Sequence, residues 1–263
     1  MEKTRKAVTP AFNAKLLEQF MPVFNERNII LIEKLKPHCG DGVEFDIWPY
    51  ISSLALDIIC QTALGVKINT QDNENSDFDK VFEEQLSIFN GENRPVTIED
   101  LGKMIYTEQV IKETLRMFPA GPVFLRTVKE DTKISDHVLP AGTTAVIAPL
   151  MTHTSPDIWP EPQKFNPDNF TAENLEKKHR YSFIPFSGGP RGCIGSRYAM
   201  MSMKTTISTF IRNYEVTTSM KQEDIKLRVD LLIRSVHGWN MKLSPRIYPN
   251  SDSQEVLNRQ KTD

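Results

Sequence analysis

The chain has 263 residues, of which 39 % are hydrophobic and 25 % charged, with a formal net charge of −2. That length supports one large domain or two small ones with a buried core, and the near-average composition excludes a disordered tail or a membrane bundle. Acidic and basic residues are interspersed, so no nucleic-acid partner is expected. Cys39, Cys60 and Cys193 are odd in number, irregularly spaced and form no CxxC pair. They make neither a disulfide framework nor a structural zinc site, and they suit a reducing compartment. No run approaches the ~20 apolar residues of a membrane span. The opening MEKTRKAVTP lacks the apolar core of a signal peptide, so no anchor is expected in the chain as written.

Apolar residues recur at helical spacing over 7–35 (Phe12, Leu16, Phe20, Phe24, Ile29, Ile32, Leu35), and Pro22 divides the run into two helices. Gly40 and Gly42 mark a turn. Asp46 then caps a helix over 47–64, apolar nearly all round, that ends at Gly65. The acidic run 69–79 reads as a loop or linker. A helix over 78–89 follows. Thr97, with Asp100 at the capping-box position, starts one long helix to Met117, which Pro119 and Pro122 end. The β-branched runs PVFLRTV, TKI, HVL and TTAVIAPL, separated by turns, predict a small twisted sheet. Pro-rich coil covers 156–170. A Gly-rich loop, a helix over 196–212 and strands in YEVTT, IKLRVDLLI and NMKLS complete the fold, before a polar, disordered final dozen residues. The expected class is mainly α with a small β-sheet region, without internal repeats.

The sharpest local feature is Phe186-Ser-Gly-Gly-Pro-Arg-Gly-Cys193-Ile-Gly195. Four glycines let the backbone turn back around one sulfur. The cysteine stands just before a helix, whose free N–H groups and dipole favour an anion, and Arg191 adds positive charge, so a thiolate is expected. Taken alone, Cys193 reads more readily as an inert buried thiol in a Gly-rich turn. A phosphate cradle is the other alternative, but no Lys-Ser/Thr follows the glycines. The whole string matches FxxGxRxCxG and so resembles the haem-thiolate signature of the cytochrome P-450 superfamily.

Other strings carry the same resemblance. Glu113-Thr-Leu-Arg116, running into Phe-Pro, is similar to the ExxR motif, where the pair ties the meander to the core and supports the cysteine loop. Pro167-Asp-Asn-Phe170 resembles the PERF-like element, with Asn169 where arginine is usual; an amide hydrogen-bonds but cannot act as a bidentate cation. The strings RKAVTPAF, ALDIICQTALGVKIN and EEQLSIFNGENRPVT resemble the family-4 type found in insects. The resemblance implies an incomplete cytochrome P-450 fold: 1–77 correspond to helices C to E, and 78–263 to helices J to L, meander, haem-thiolate loop and C-terminal β region. This is one domain with an internal deletion near 78–80. It further implies haem b (iron protoporphyrin IX), with Cys193 as axial iron ligand, Phe186 and Gly195 in its loop, and Arg191, Arg126 and Arg5 toward the propionates. The tryptophan of the WxxxR motif that would place Arg5 is replaced by Met1. His38, His137, His153, His179 and His237 lack ligand-like spacing and read as structural.

The implied activity is a monooxygenase acting on a small apolar substrate, such as a fatty acid or xenobiotic, with O2 and electrons from an NADPH-dependent reductase. Its implied setting is the cytosolic face of the endoplasmic reticulum membrane. A thiolate on haem iron favours O–O cleavage. Helices F to I are missing from the resemblance, including the [AG]Gx[DE]T element that supplies protons and excludes water. The nearest string, Ala141-Gly-Thr-Thr144, lacks the acid, so no catalytic residue is identified. The alternatives are a catalytically inactive haem-binding fragment and a non-haem interaction protein on the same scaffold.

Overall fold

A computed structural model of the chain describes residues 5–6, 8–59, 79–219, 226–229, 233–246 and 248. The chain divides into two compact units. The first is Met1–Thr107, Arg197–Ile225 and His237–Asp263; the second is Glu108–Ser196 and Lys226–Val236.

In the first unit, α1 (Ala14–Glu18) starts at Asn13, whose side chain accepts from the Leu16 amide at 3.0 Å. Helix α2 (Met21–Leu35) follows, with Pro22 in its first turn, where a proline loses no intrahelical bond. The predicted division into two helices is therefore present. Of the apolar residues at helical spacing, Phe24, Ile32 and Leu35 are buried. Leu16 and Ile29 are exposed, while Leu17, Met21 and Leu31 are buried as well. The helical period restarts at the break near Phe20, so one face cannot be traced from α1 through α2.

Asp46 ends β1 (Phe45–Asp46), and α3 (Trp48–Ile59) starts after it. Its Oδ1 accepts from the amides of both Trp48 (3.1 Å) and Trp239 (2.7 Å), so the predicted cap also ties the helix start to a distant loop. Gly238, at φ +73°, leaves room for that carboxylate: a Cβ there would stand 2.5 Å from its oxygen. The predicted continuation of α3 to Gly65, Cys60, and all but the last residue of the acidic run lie outside the described residues.

Helix α4 (Asp79–Phe89) precedes α5 (Ile98–Lys103) and α6 (Ile105–Met117). The single long helix predicted from Thr97 to Met117 is thus corrected to two, parted at Met104 (φ −77°, ψ 72°). The carboxylate of Glu84 on α4 accepts from the Tyr106 and Thr107 amides and the Thr107 hydroxyl. This satisfies the free N–H groups of a new helix start and lets α6 leave in its own direction. The Thr97–Asp100 capping box is formed. Arg94 pairs bidentately with Asp100 (2.6 and 2.9 Å) and holds its carboxyl well below the usual range.

In the second unit, β2 (Phe124–Thr127) pairs antiparallel with β5 (Thr144–Ile147), and β3 (Thr132–Ile134) with β4 (His137–Leu139). The predicted single sheet is two separate two-stranded ladders. Between them, turn bonds engage the backbone: the Ala141 amide donates to Asp131, and Gly142 takes φ +87°. The run TTAVIAPL leaves the strand at Ile147. Pro149, with its φ preset for a helix start, opens α7 (Pro149–His153). Coil follows to a 3-10 turn at Pro167–Phe170 and to α8 (Ala172–Glu176). The Phe170 ring lies tilted against Trp159 at 5.5 Å and meets Phe183 edge-to-face at 4.6 Å.

Helix α9 (Ser196–Asn213) runs from the second unit into the first. In the first unit, Tyr198 meets the edges of Phe12, Phe20 and Phe24. Strand β6 (Tyr214–Thr217) then follows. In the second unit, β7 (Leu227–Val229) and β8 (Ile233–Ser235) form a hairpin where one strand was predicted, with 230–232 outside the described residues. Strand β9 (Asn240–Pro245) lies between β1 and β6 in an antiparallel sheet. The final dozen residues lie outside the description. No helix among the described residues is long and apolar enough to cross a membrane.

Candidate functional site

The second unit is organised around one buried ion pair. Glu113 and Arg116 lie one turn apart on α6, both fully buried, at 2.8 Å. Burial on this scale requires that every polar atom be used. Arg116 makes two bonds to Glu113 and donates to the carbonyls of His153 (2.8 Å), Pro162 (2.9 Å) and Lys164 (3.4 Å). These five bonds match its five N–H donors. Glu113 Oε1 also accepts from the Asn166 amide (2.9 Å) and from Asn169 Nδ2 (3.2 Å). Asn169 therefore occupies the third place of the cluster with an uncharged donor to the Glu113 carboxylate. The pair gathers backbone from α7 and from the coil that follows it.

His153 extends the network. Its carbonyl accepts from Arg116, and its Nε2 accepts from the Ile184 amide at 2.9 Å. The ring is therefore a neutral acceptor. Burial, aided by the Arg116 charge, lowers its pKa from 6.5 to about 4. Ile184 stands two residues before Phe186, so this one ring joins the ion-pair cluster to the loop that follows.

In that loop the Cys193 amide donates to the Phe186 carbonyl at 2.8 Å, closing a turn whose tip carries Gly188 to Arg191. Gly189 takes φ +66° and Ser187 φ +60°. At Gly188 a Cβ would come 2.9 Å from the Tyr181 ring, and at Gly192 3.2 Å from the Gly189 carbonyl. The glycines thus answer different demands: one a left-handed turn, two a close approach. Cys193 is exposed and unbridged. Phe186 and Gly195 are half-buried, Arg191 is exposed, and α9 starts three residues beyond the sulfur.

Arg126 on β2 reaches this loop, donating from Nη2 to the Ser187 hydroxyl at 3.0 Å. It also lies 4.8 Å from the Phe124 ring centroid. Arg5 belongs to the first unit, where its carbonyl accepts from the Thr9 hydroxyl. The structure thus brings together Phe186, Arg191, Cys193, Gly195 and Arg126 in one unit, with Glu113, Arg116 and Asn169 in the cluster behind. Sequence reading passed over Ser187 and the bridging role of His153. The signal for Ser187 was its place inside the recognised cysteine string. Among the described residues no three His, Cys, Asp or Glu side chains group as metal ligands. Ala141–Thr144 lies on the turn into β5 and not on a helix.

The profile of the cytochrome P-450 family matches residues 1–91 and 78–237. The chain belongs to the cytochrome P-450 family. Among its relatives, cytochrome P-450 4g1 of Drosophila melanogaster is 43 % identical over 173 residues, covering 64 % of this chain and 31 % of that protein. Cytochrome P-450 4g15 of the same fly is 39 % identical over 170 residues, covering 64 % and 30 %. The chain thus spans about a third of the length of these two relatives. Cytochrome P-450 4V2 of Homo sapiens is 27 % identical over 375 positions, covering 92 % of this chain and 71 % of that protein. That alignment is longer than the chain itself, so stretches of the relative have no counterpart here.

The members of this family are haem-dependent monooxygenases, and the cytochrome P-450 loop of this chain fits the group. The Cys193 thiol is exposed at the base of a closed turn, with no disulfide partner, and a thiolate is the soft donor that haem iron takes. Arg126 and Arg191 lie in the same unit and would meet acidic side groups. Bound there, haem would supply oxygen activation; Cys193 would hold its iron, and His153 with the buried ion pair would brace the loop.

Proposed function

We propose that the chain binds haem b through Cys193 and derives from a haem-thiolate monooxygenase that oxidises a small apolar substrate, such as a fatty acid or xenobiotic. The observation that carries this is the closed Phe186–Cys193 turn with an exposed sulfur, inside a segment matched by the family profile. Arg126, Arg191 and Arg5 are assigned to the propionates, and Phe186 and Gly195 to the loop that seats the ring. Glu113, Arg116 and Asn169 act through the fold alone. An NADPH-dependent reductase at the endoplasmic reticulum membrane is the proposed electron source.

A second reading has its own support. The family matches fall in two segments, and the alignment to a longer relative exceeds the length of this chain. These observations favour an internal deletion near 78–80 that removes the counterparts of helices F to I. The chain is then a haem-binding form without coupled catalysis. Haem supplied during expression, reduction and carbon monoxide give the test. A thiolate-type Soret band is expected from the unaltered chain and is expected to vanish in Cys193→Ala. Absence of haem uptake in the unaltered chain sinks both readings together.

A further inference from the structure

The least explained residue of the loop is Ser187. Its φ of +60° lies in the left-handed region, where a side chain costs roughly 1 kcal/mol and glycine is the easy choice. The next two residues are glycines, so the segment is rich in the residue that would relieve this strain, yet position 187 keeps a hydroxyl. An observed backbone outlier is a pointer to function. Here the hydroxyl has one partner, and it comes from 61 positions away: Arg126 Nη2, at 3.0 Å.

Arg126 has little else to hold it. Its Nη1 donates to the carbonyl of the adjacent Leu125 at 2.9 Å, and its guanidinium stacks on Phe124. Among the described residues no carboxylate pairs with it. Two of its five N–H donors are engaged, and both by neutral oxygens, so its charge is uncompensated and three donors stay available. A long, unpaired side chain loses rotamer freedom when it binds an anion, which weakens that binding unless another contact has already fixed it.

We propose that Ser187 is a positioning residue. It holds the Arg126 guanidinium against the thiolate loop, so that β2 presents a pre-oriented cation to a carboxylate of the ligand seated at Cys193. The ligand class rests on the haem reading above; the holding contact does not. The strain at Ser187 is kept because glycine would free the backbone but release the arginine.

Two measurements on the full chain separate the inference from that reading. The first is a double-mutant cycle on unfolding without haem, using Arg126→Ala and Ser187→Gly. An ordinary net hydrogen bond at a part-buried site predicts a coupling of about threefold to tenfold in the folding equilibrium. Additive effects overturn the proposal whether or not haem binds. The second is titration with haemin, followed at the Soret band. Ser187→Gly should leave the chain folded and weaken haemin binding about fivefold. Ser187→Asn should restore binding, because asparagine tolerates the left-handed region and offers an acceptor oxygen. With haemin dimethyl ester, whose propionates carry no charge, the unaltered chain and Ser187→Gly should bind alike. An equal loss with the ester overturns the pre-oriented cation and leaves general loop damage. If the unaltered chain takes up no haemin while the coupling stands, the haem reading fails, and with it the carboxylate assigned here.

Discussion

Among single residues, Arg116 carries most of the second unit's polar framework, with all five of its donors engaged. Removing Arg116 would bury the Glu113 charge alone and release three backbone carbonyls. Arg116→Ala should therefore cost about 3–5 kcal/mol, read as a fall in the urea midpoint or as loss of soluble protein. Asn169→Ala removes only one neutral donor of the same cluster and should cost about 1 kcal/mol. His153 gives a pH signature. Its folded pKa of about 4 lies below the ordinary 6.5, so the folded state disfavours the proton. Its contribution is complete above pH 6.5 and is lost as pH falls toward 4, by at most on the order of 2–3 kcal/mol. His153→Gln keeps an acceptor for Ile184 but cannot titrate. Chemical unfolding at pH 7.5 and at pH 5 should show a smaller difference in that variant than in the unaltered chain. The ExxR pair and the cysteine were legible in the sequence because each sits in a short string. The use of every Arg116 donor was not, since three of the acceptors lie 37 to 48 positions away.

At the scale of elements, local signals were reliable where the partner was local. The Thr97–Asp100 capping box spans three residues and formed as predicted. The break at Met104 was hidden, because the carboxylate that caps α6 comes from Glu84, more than twenty positions earlier. Glu84→Gln keeps an acceptor but removes the charge facing the helix start. It should cost about 1 kcal/mol, in the range of a lost helix cap, and should reduce hydrogen-exchange protection at Tyr106 and Thr107. Unchanged protection there would mean that α6 starts without help from α4. Of the apolar residues that the helical period picks out in α2, Phe24, Ile32 and Leu35 are buried and Ile29 is exposed.

At the scale of the whole chain, the decisive relation is between what is matched and what has no counterpart. The cysteine loop and its supporting cluster, which the proposed function assigns to the proximal side of a haem, are present. The proton-supplying helix of the family has no recognisable string here. With haem bound and a reductase supplied, NADPH consumption is expected without matching product from a fatty-acid substrate. Coupled product formation above that of Cys193→Ala would overturn the deletion reading and restore a working monooxygenase.

The cysteine loop and the ion pair were legible from the chain alone, because each rests on residues within ten positions of one another, and the family was legible from several such strings along the chain. The sequence also determined the mainly helical class, through periodicity and turn residues. The tertiary structure decided how these pieces are joined. It placed Asn169 on Glu113, passed the network through His153 to Ile184, and set Arg126 against Ser187. Each is a hydrogen bond between groups 31 to 61 positions apart. Such bonds form only once burial has brought the segments together, and no local pattern in the chain encodes them.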